Sequence, residues 1–244
     1  MLGRQNGKAG RRVAILQSNY IPWKGYFDLL NSVDDFIFYD EVQYTKNDWR
    51  NRNRLKTAYG VQWLTIPVRQ EALRQKISET RVFDARWGAR HWRTIGQAYG
   101  RAAYFEQYRG ELEELYLAPG SSLLSCINRR FIEVINGWLG IRTQLHSAAD
   151  FDVSGDPTAR LVQLVQAVGG TEYVSGPAAA AYLEADQFAQ AGLKLSWMSY
   201  DGYPEYRQLH GPPFEHRVSV LDLLLNEGPN APHFMLSFAP RPAA

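Results

Sequence analysis

Short apolar runs bounded by polar residues alternate along this chain with stretches where apolar residues recur every three or four positions. The first run is Val13-Ala14-Ile15-Leu16, with polar Gln17, Ser18 and Asn19 where a strand would end. Trp23, Tyr26, Phe27, Leu29 and Leu30 then follow the spacing of an amphipathic helix over Trp23 to Val33. Lys24, Asp28 and Asn31 share its other side, and Pro22 sits at its start, where a missing N–H costs nothing. Phe36 to Tyr39 predicts the next strand. From Lys46 to Lys56, charged residues at even positions alternate with Asn47, Trp49, Asn51, Asn53 and Leu55. If extended, this stretch puts every charge on one face; if helical, Asp48 and Arg52 form an i, i+4 pair. Gly60 turns the chain into a strand over Val61 to Val68, so a hairpin or meander is expected over 53–68, with a weaker strand from Lys76 to Phe83.

Residues 86–138 read as helical, in three segments: Trp87 to Tyr99, Tyr104 to Tyr116 and Ser121 to Trp138. Arg142 to His146 looks like a returning strand. Asp156 and Pro157 open a helix that stops at Gly169-Gly170. Strands follow at Thr171–Val174 and Leu193–Met198, with a short helix opened by Ser175-Gly176-Pro177 between them. A Tyr- and Gly-containing loop at Tyr200–Gln208 precedes a last helix, Ser219–Asn226. Such alternation predicts an α/β fold: a mostly parallel, Rossmann-like sheet flanked by helices, with a helical insertion or subdomain. The expected division is a disordered basic tail over 1–12, one α/β domain over 13–228 with 86–138 inserted, and a Pro-rich C-terminal tail over 229–244.

Composition narrows the picture. The length of 244 residues suffices for a sizeable core. One cysteine rules out an intrachain disulfide and a multi-cysteine zinc site, and Cys126 falls beside the apolar Ile127, where a buried, inert thiol is expected. The net charge of +2 comes from the first twelve residues; without their four basic side chains, 23 basic face 25 acidic ones. A general nucleic-acid surface is therefore not indicated, and no sequence-specific nucleic acid is expected as a partner. No apolar run approaches the length of a membrane span, and the start lacks the apolar core of a signal peptide, so a cytoplasmic setting is expected. The five histidines show no metal-ligand spacing, and neither a metal nor a resident cofactor is expected.

Ligands of open α/β sheets sit past the carboxyl ends of the strands, where Gln17–Lys24 and Asp40–Arg54 fall. Arg50, Asn51 and Arg52 form a candidate anion site, with Trp49 as a stacking face; the plain alternative is a solvated charged strand. Gln17, Asn19 and Tyr20 suit substrate orientation, and Lys24 suits an anion or, desolvated, base chemistry; their plain alternative is a turn with Lys24 in water. Asp40 is the preferred general base and Asp48 its rival, unless they serve only as arginine partners; Gln43, Tyr44 and Lys46 belong to the same stretch. Asp201, Tyr203 and Tyr206 lie on a loop whose rings suit sugars or flat groups, or else anchor a surface turn. Ser175 and Gly176 begin a helix that could receive an anion, with capping as the simpler role of Ser175. Asp222 stands three after Ser219, at capping-box spacing.

The runs QSNYIPWKGYFDLL, YDEVQYTKNDWRNRN, SGPAAAAYL, YDGYPEYRQL and SVLDLLLNEG strongly resemble the WbqC-like family of bacterial proteins, over roughly residues 13–228. That resemblance implies a setting among polysaccharide (O-antigen) genes and suggests transfer of glycine to a sugar. The resulting expectation is an acyl or aminoacyl transferase acting on an activated sugar. Its donor would be a phosphopantetheine-linked or other activated acyl group. Its partners would be a phosphorylated or nucleotide-linked small molecule and an acyl carrier protein or aminoacyl-tRNA. The rivals are a non-catalytic binding protein for a nucleotide sugar or carrier protein, and a nucleotidylyltransferase-like enzyme. Pro22-Trp23-Lys24-Gly25-Tyr26 falls where the last class carries a His-x-Gly-His signature, with Trp23 and Tyr26 in place of both histidines.

Overall fold

The computed structural model describes residues 10–238. In chain order, the first elements are β1 (Arg12–Leu16), α1 (Lys24–Asn31) and β2 (Asp35–Phe38). Next come β3 (Arg52–Thr57) and β4 (Gly60–Thr65), then β5 (Val68–Arg69) and β6 (Arg81–Val82). Helices α2 (Trp87–Tyr99), α3 (Phe105–Leu117) and α4 (Leu124–Leu139) follow. The chain then runs through β7 (Gln144–Ser147), α5 (Pro157–Ala167), β8 (Glu172–Ser175), α6 (Ala185–Gln190), β9 (Lys194–Trp197) and α7 (Val220–Glu227).

Five strands form one parallel sheet in the order β7-β2-β1-β8-β9. The chain therefore steps outward from β1 to β2 and β7, then returns to the other side of β1 for β8 and β9. The crevice between β1 and β8 is the topological switch point, where open sheets of this kind bind ligands. Side chains alternate across the sheet. Ala14, Phe36 and Phe38 join the larger core with α1, α2, α3, α4 and α7, while Val13, Ile15 and Ile37 face Leu161, Leu164, Val165 and Phe188 of α5 and α6.

The alternation from Arg52 to Lys56 is extended: β3 pairs antiparallel with β4, Arg54 opposite Trp63. Asp156 caps α5 as expected, its Oδ1 accepting from the backbone N–H of Thr158 at 2.8 Å and of Ala159 at 2.9 Å. The stretch Lys76 to Phe83 departs from expectation. It holds a single 3-10 turn, Ile77–Glu79, and the two-residue β6.

The expected tails over 1–12 and 229–244 lie partly outside the described residues. Residues 1–9 lie outside them, but Arg12 opens β1, and Arg11 grips the fully buried Asp35 at 2.5 and 2.7 Å. At the other end, residues 228–234 form a 3-10 segment that buries Gly228 and Ala231, and Met235 just after it is buried too. Cys126 is exposed, against the expectation of a buried thiol. It sits off the stripe of Leu124, Ile127, Phe131 and Ile135 that α4 buries. A disulfide-exchanging thiol reagent is expected to titrate one thiol per chain rapidly without denaturant; reaction only on unfolding would contradict this placement.

Candidate functional site

The loop from β1 into α1 is held in a strained shape. Ile21, β-branched and fully buried, has φ of 35°, a conformation that costs on the order of 1–3 kcal/mol. Asn53, itself buried, offsets this by donating to the carbonyls of Tyr20 and Ile21 at 3.0 and 2.9 Å. Trp23 then folds its ring back over Gly25, where a Cβ would come within 2.3 Å of it, so only glycine fits. From α4, Asn128 donates to the Arg50 carbonyl at 2.8 Å and reaches Ser18 at 3.3 Å. The helical excursion thus braces the loops that follow β1 and β2.

These loops border a cleft of about 610 Å³. Asn19, Pro22 and Trp23 come from the first loop, Trp49 from the approach to β3, and Asn53 and Arg54 from β3 itself. Tyr200–Tyr203 form the wall after β9, and His216 and Arg217 the wall before α7. Trp23 meets Tyr200 and Tyr203 edge-on, with ring centroids 5.2 and 5.8 Å apart. Tyr200 also closes over the switch point: a Cβ on Gly176 would lie 3.7 Å from its hydroxyl. Among the described residues, neither Arg54 nor Arg217 has a carboxylate within 4.0 Å. Aromatic faces and two unpaired guanidiniums suit a ligand that carries both a flat or sugar ring and a phosphate.

The residues singled out by sequence divide into three groups. Asn19, Trp49, Asp201 and Tyr203 stand on the cleft wall. A second group supports it. Arg50 donates to Asn19 Oδ1 and, at 3.2 Å, to Gln17 Oε1, with Asp48 at 3.7 Å. Its guanidinium is a strut between two loops, which corrects the reading of Arg50 as the open anion site. Asp48 also accepts from the Trp49 N–H at 2.7 Å, which fits the arginine-partner alternative. Asp40 is buried, one oxygen accepting from the Ser18 N–H at 2.9 Å. Burial raises its carboxyl above the usual range, with Ser18 and Arg50 working against the shift. Lys24 lies behind Tyr203, buried rather than in water, its ammonium 3.3 Å from the Pro204 carbonyl and 4.5 Å from the Tyr203 ring centroid. Burial lowers its pKa to about 8, with Asp28 and Asp222 acting the other way.

The third group stands off the cleft wall. Tyr20 is fully buried, its hydroxyl 2.8 Å from His91 Nδ1 and 2.9 Å from that of Tyr116. Tyr44 is equally enclosed in the core. Both are aromatic because they fill space, not because they shape a pocket. Asn51 is buried and donates to the Ile66 carbonyl at 2.9 Å. Gln43 donates to the Leu73 carbonyl at 2.7 Å, and Lys46 is exposed without an ion pair among the described residues. Arg52 lies over the Trp63 ring at 4.3 Å. Ser175 is buried at the end of β8 and caps no helix; the segment after it is a 3-10 turn preceded by Gly176. Tyr206 turns inward to Asp222 at 2.6 Å. Asp222 is not a capping-box residue: it also accepts from Tyr99 and Gln208, both at 2.8 Å.

Sequence reasoning missed Trp23, Arg54, His216 and Arg217 as cleft residues. Arg54 belonged to the charge alternation, and Trp23 was assigned to a helix's apolar face. His216-Arg217 carried no local signal.

Five parallel strands in this order, with a ligand-sized cleft beyond the carboxyl end of the central one, define a doubly wound α/β protein with a cleft at its switch point. Within that class the chain belongs to the WbqC-like protein family, whose model matches residues 17–234. It is similar to the uncharacterized protein Rv1507c of Mycobacterium tuberculosis (strain ATCC 25618 / H37Rv), 46% identical over 226 residues that span 92% of this chain and 97% of that protein. No solved structure matches it. Among the described residues, no helix is long and apolar enough to cross a membrane, and no group of three or more His, Cys, Asp and Glu could hold a metal ion.

Proposed function

We propose that this protein is a transferase that moves an acyl or aminoacyl group onto the amine or hydroxyl of a phosphorylated or nucleotide-linked sugar. The observation that carries the reading is the cleft at the switch point, walled by Trp23, Trp49, Tyr200 and Tyr203 and holding the unpaired Arg54 and Arg217. In this reading the aromatic rings hold the sugar and the guanidiniums hold its phosphate. Asp40 and Asp48 do not line this cleft, so the proton-transfer role passes to His216, whose imidazole does. The acceptor nitrogen or oxygen attacks the donor carbonyl and forms the new C–N or C–O bond. His216 takes the acceptor's proton and returns it to the departing thiolate or alkoxide as the donor bond breaks. Positioning supplies the remaining rate, so no protein nucleophile is needed. The family's association with polysaccharide genes supports a cell-surface sugar as acceptor.

The test is a thermal-shift panel of uridine- and thymidine-diphosphate amino sugars, coenzyme A, pantetheine phosphate, ATP and glycine. A binder at ~100 times its dissociation constant stabilises by about 2.7 kcal/mol. A shift with a sugar nucleotide that disappears in Arg217→Ala and Arg54→Ala is expected. No shift with any phosphorylated compound, or one indifferent to both variants, would remove the reading. Tight binding with no product from any activated donor would return the protein to the binding-only alternative.

A further inference from the structure

The outward face of the β3–β4 hairpin carries a feature that extends beyond the cleft. Pairing of Arg52 with Thr65 and Arg54 with Trp63 sends these side chains to one side, opposite buried Asn53, Leu55 and Leu64. On that side Arg52 lies over Trp63 at 4.3 Å, and Arg54 lies 5.5 Å from Trp63 and 5.7 Å from Trp49. The two indoles are themselves 5.6 Å apart, tilted by 32°, and 41% and 43% exposed. Arg52, like Arg54, has no carboxylate within 4.0 Å among the described residues. The Nε of each is shielded from solvent and makes no hydrogen bond. Both guanidiniums are held by aromatic faces instead of acids, an arrangement that orients a cation without neutralising it. Because Trp49 and Arg54 are also cleft walls, the strip Arg52-Trp63-Arg54-Trp49 runs directly into the cleft.

The strip repeats a flat ring and a cation. Its two arginines stand two residues apart on one strand, roughly 6.8 Å. A nucleotide sugar would occupy the cleft and leave Arg52 and Trp63 unused. A pantetheine arm offers no series of flat rings. The ligand whose own repeat is a flat base and a phosphate is a single-stranded nucleic acid, which proteins bind with this combination of aromatic platforms and basic groups. We propose that the strip binds the unpaired 3′ end of an RNA, bases against Trp63 and Trp49 and phosphates on Arg52 and on Arg54, which it shares with the sugar's phosphate, so that its last nucleoside enters the cleft beside the sugar. The inference rests on the transferase reading and names its donor: an amino acid esterified to that 3′ terminal ribose. The acceptor amine attacks the ester carbonyl, the C–N bond forms and the C–O bond to ribose breaks. The acceptor's proton passes through His216 to the freed ribose hydroxyl.

The probe is a fluorescein-labelled single-stranded RNA hexamer ending in CCA, followed by anisotropy and tryptophan quenching at several salt concentrations. Saturable binding is expected, with a salt slope of roughly −1.4 for two phosphates. Trp63→Ala should weaken it by about tenfold or more, and Arg52→Ala should reduce the slope by roughly 0.7. The same sequence as a blunt duplex should not compete. Absence of binding at low salt, indifference to both substitutions, or equal competition by heparin would overturn the proposal, the last by showing a plain electrostatic patch. Both side chains lie on the outer face, so unchanged melting of the free variants separates loss of the site from loss of fold. The sugar-nucleotide shift keeps the two readings apart. It should depend on Arg217 and ignore Trp63 and Arg52, so RNA binding without it removes the sugar cleft, and its persistence without RNA binding removes the strip.

Discussion

Replacing Asp28 with alanine is expected to destabilise the protein by about 3–5 kcal/mol and to loosen the Tyr203 wall of the cleft. The Asp28 carboxylate is fully buried and accepts four hydrogen bonds. The Tyr203 hydroxyl donates at 2.5 Å, the backbone N–H groups of Leu236 and Ser237 at 3.1 and 2.8 Å, and the Ser237 hydroxyl completes the set. Alanine would leave these donors without an acceptor, and each buried donor left unmade costs about 1–3 kcal/mol unless relaxation lets water in. The segment 235–238 would detach first, since Asp28 supplies its anchoring acceptors. Tyr203 loses its hydroxyl partner at the same time, while its edge contact with Trp23 remains. Urea unfolding measures the total. Tyr203→Phe removes one donor and keeps the carboxylate paired with the other three, so a loss of only about 1 kcal/mol is expected there. A change below 1 kcal/mol in Asp28→Ala would mean that the network does not hold the C-terminal segment.

A second large effect is expected from His91 on acidification. Nε2 lies 3.2 Å from the Thr65 carbonyl, which only accepts, so the neutral ring carries its proton there and leaves Nδ1 as an acceptor 2.8 Å from the Tyr20 hydroxyl. Burial lowers its pKa from the ordinary 6.5 to about 4, with nearby Arg90 pushing the same way and the Thr65 carbonyl opposing. The folded state therefore refuses a proton that the unfolded state takes. The stabilising contribution is fully present above pH 6.5 and is lost as pH falls toward 4, a loss of about 3 kcal/mol at the lower limit. Asp40 and Asp222, whose carboxyls burial raises, act oppositely: their folded forms take up protons more readily as pH falls. The clean measurement is consequently a comparison of urea unfolding at pH 7 and pH 4 for the protein and for His91→Gln. A glutamine amide can donate to Thr65 and accept from Tyr20 without titrating. The variant should lose about 3 kcal/mol less between the two pH values. Equal losses would show that His91 is protonated in the fold or reachable by water.

The local pattern of the chain determined a good deal of this protein. The apolar run at 13–16, the helical spacing after Pro22, the alternation into β3 and β4, and the Asp156-Pro157 cap all report interactions made within a few residues. Period and capping chemistry record such interactions directly. From them the α/β class and the strand ends that carry the cleft could be read. The alternating charges of 46–56 also held the signal for Arg54.

Tertiary structure alone decided which polar and aromatic residues face the cleft. Asp28 reads as the solvated side of an amphipathic helix, yet it is fully enclosed by Tyr203, 175 positions away, and by the C-terminal segment, 209 positions away. Tyr20 and Tyr44 sit beside cleft residues in sequence but point into the core. Arg50 is consumed by Gln17 and Asn19, while Arg54 and Arg217 line the cleft from segments that share no pattern. The physical reason is one of range. Burial on one face of a helix or strand repeats with the backbone period and so is written locally. The partner of a buried charge is fixed by how distant elements pack, and neither side chain carries a local mark of the other.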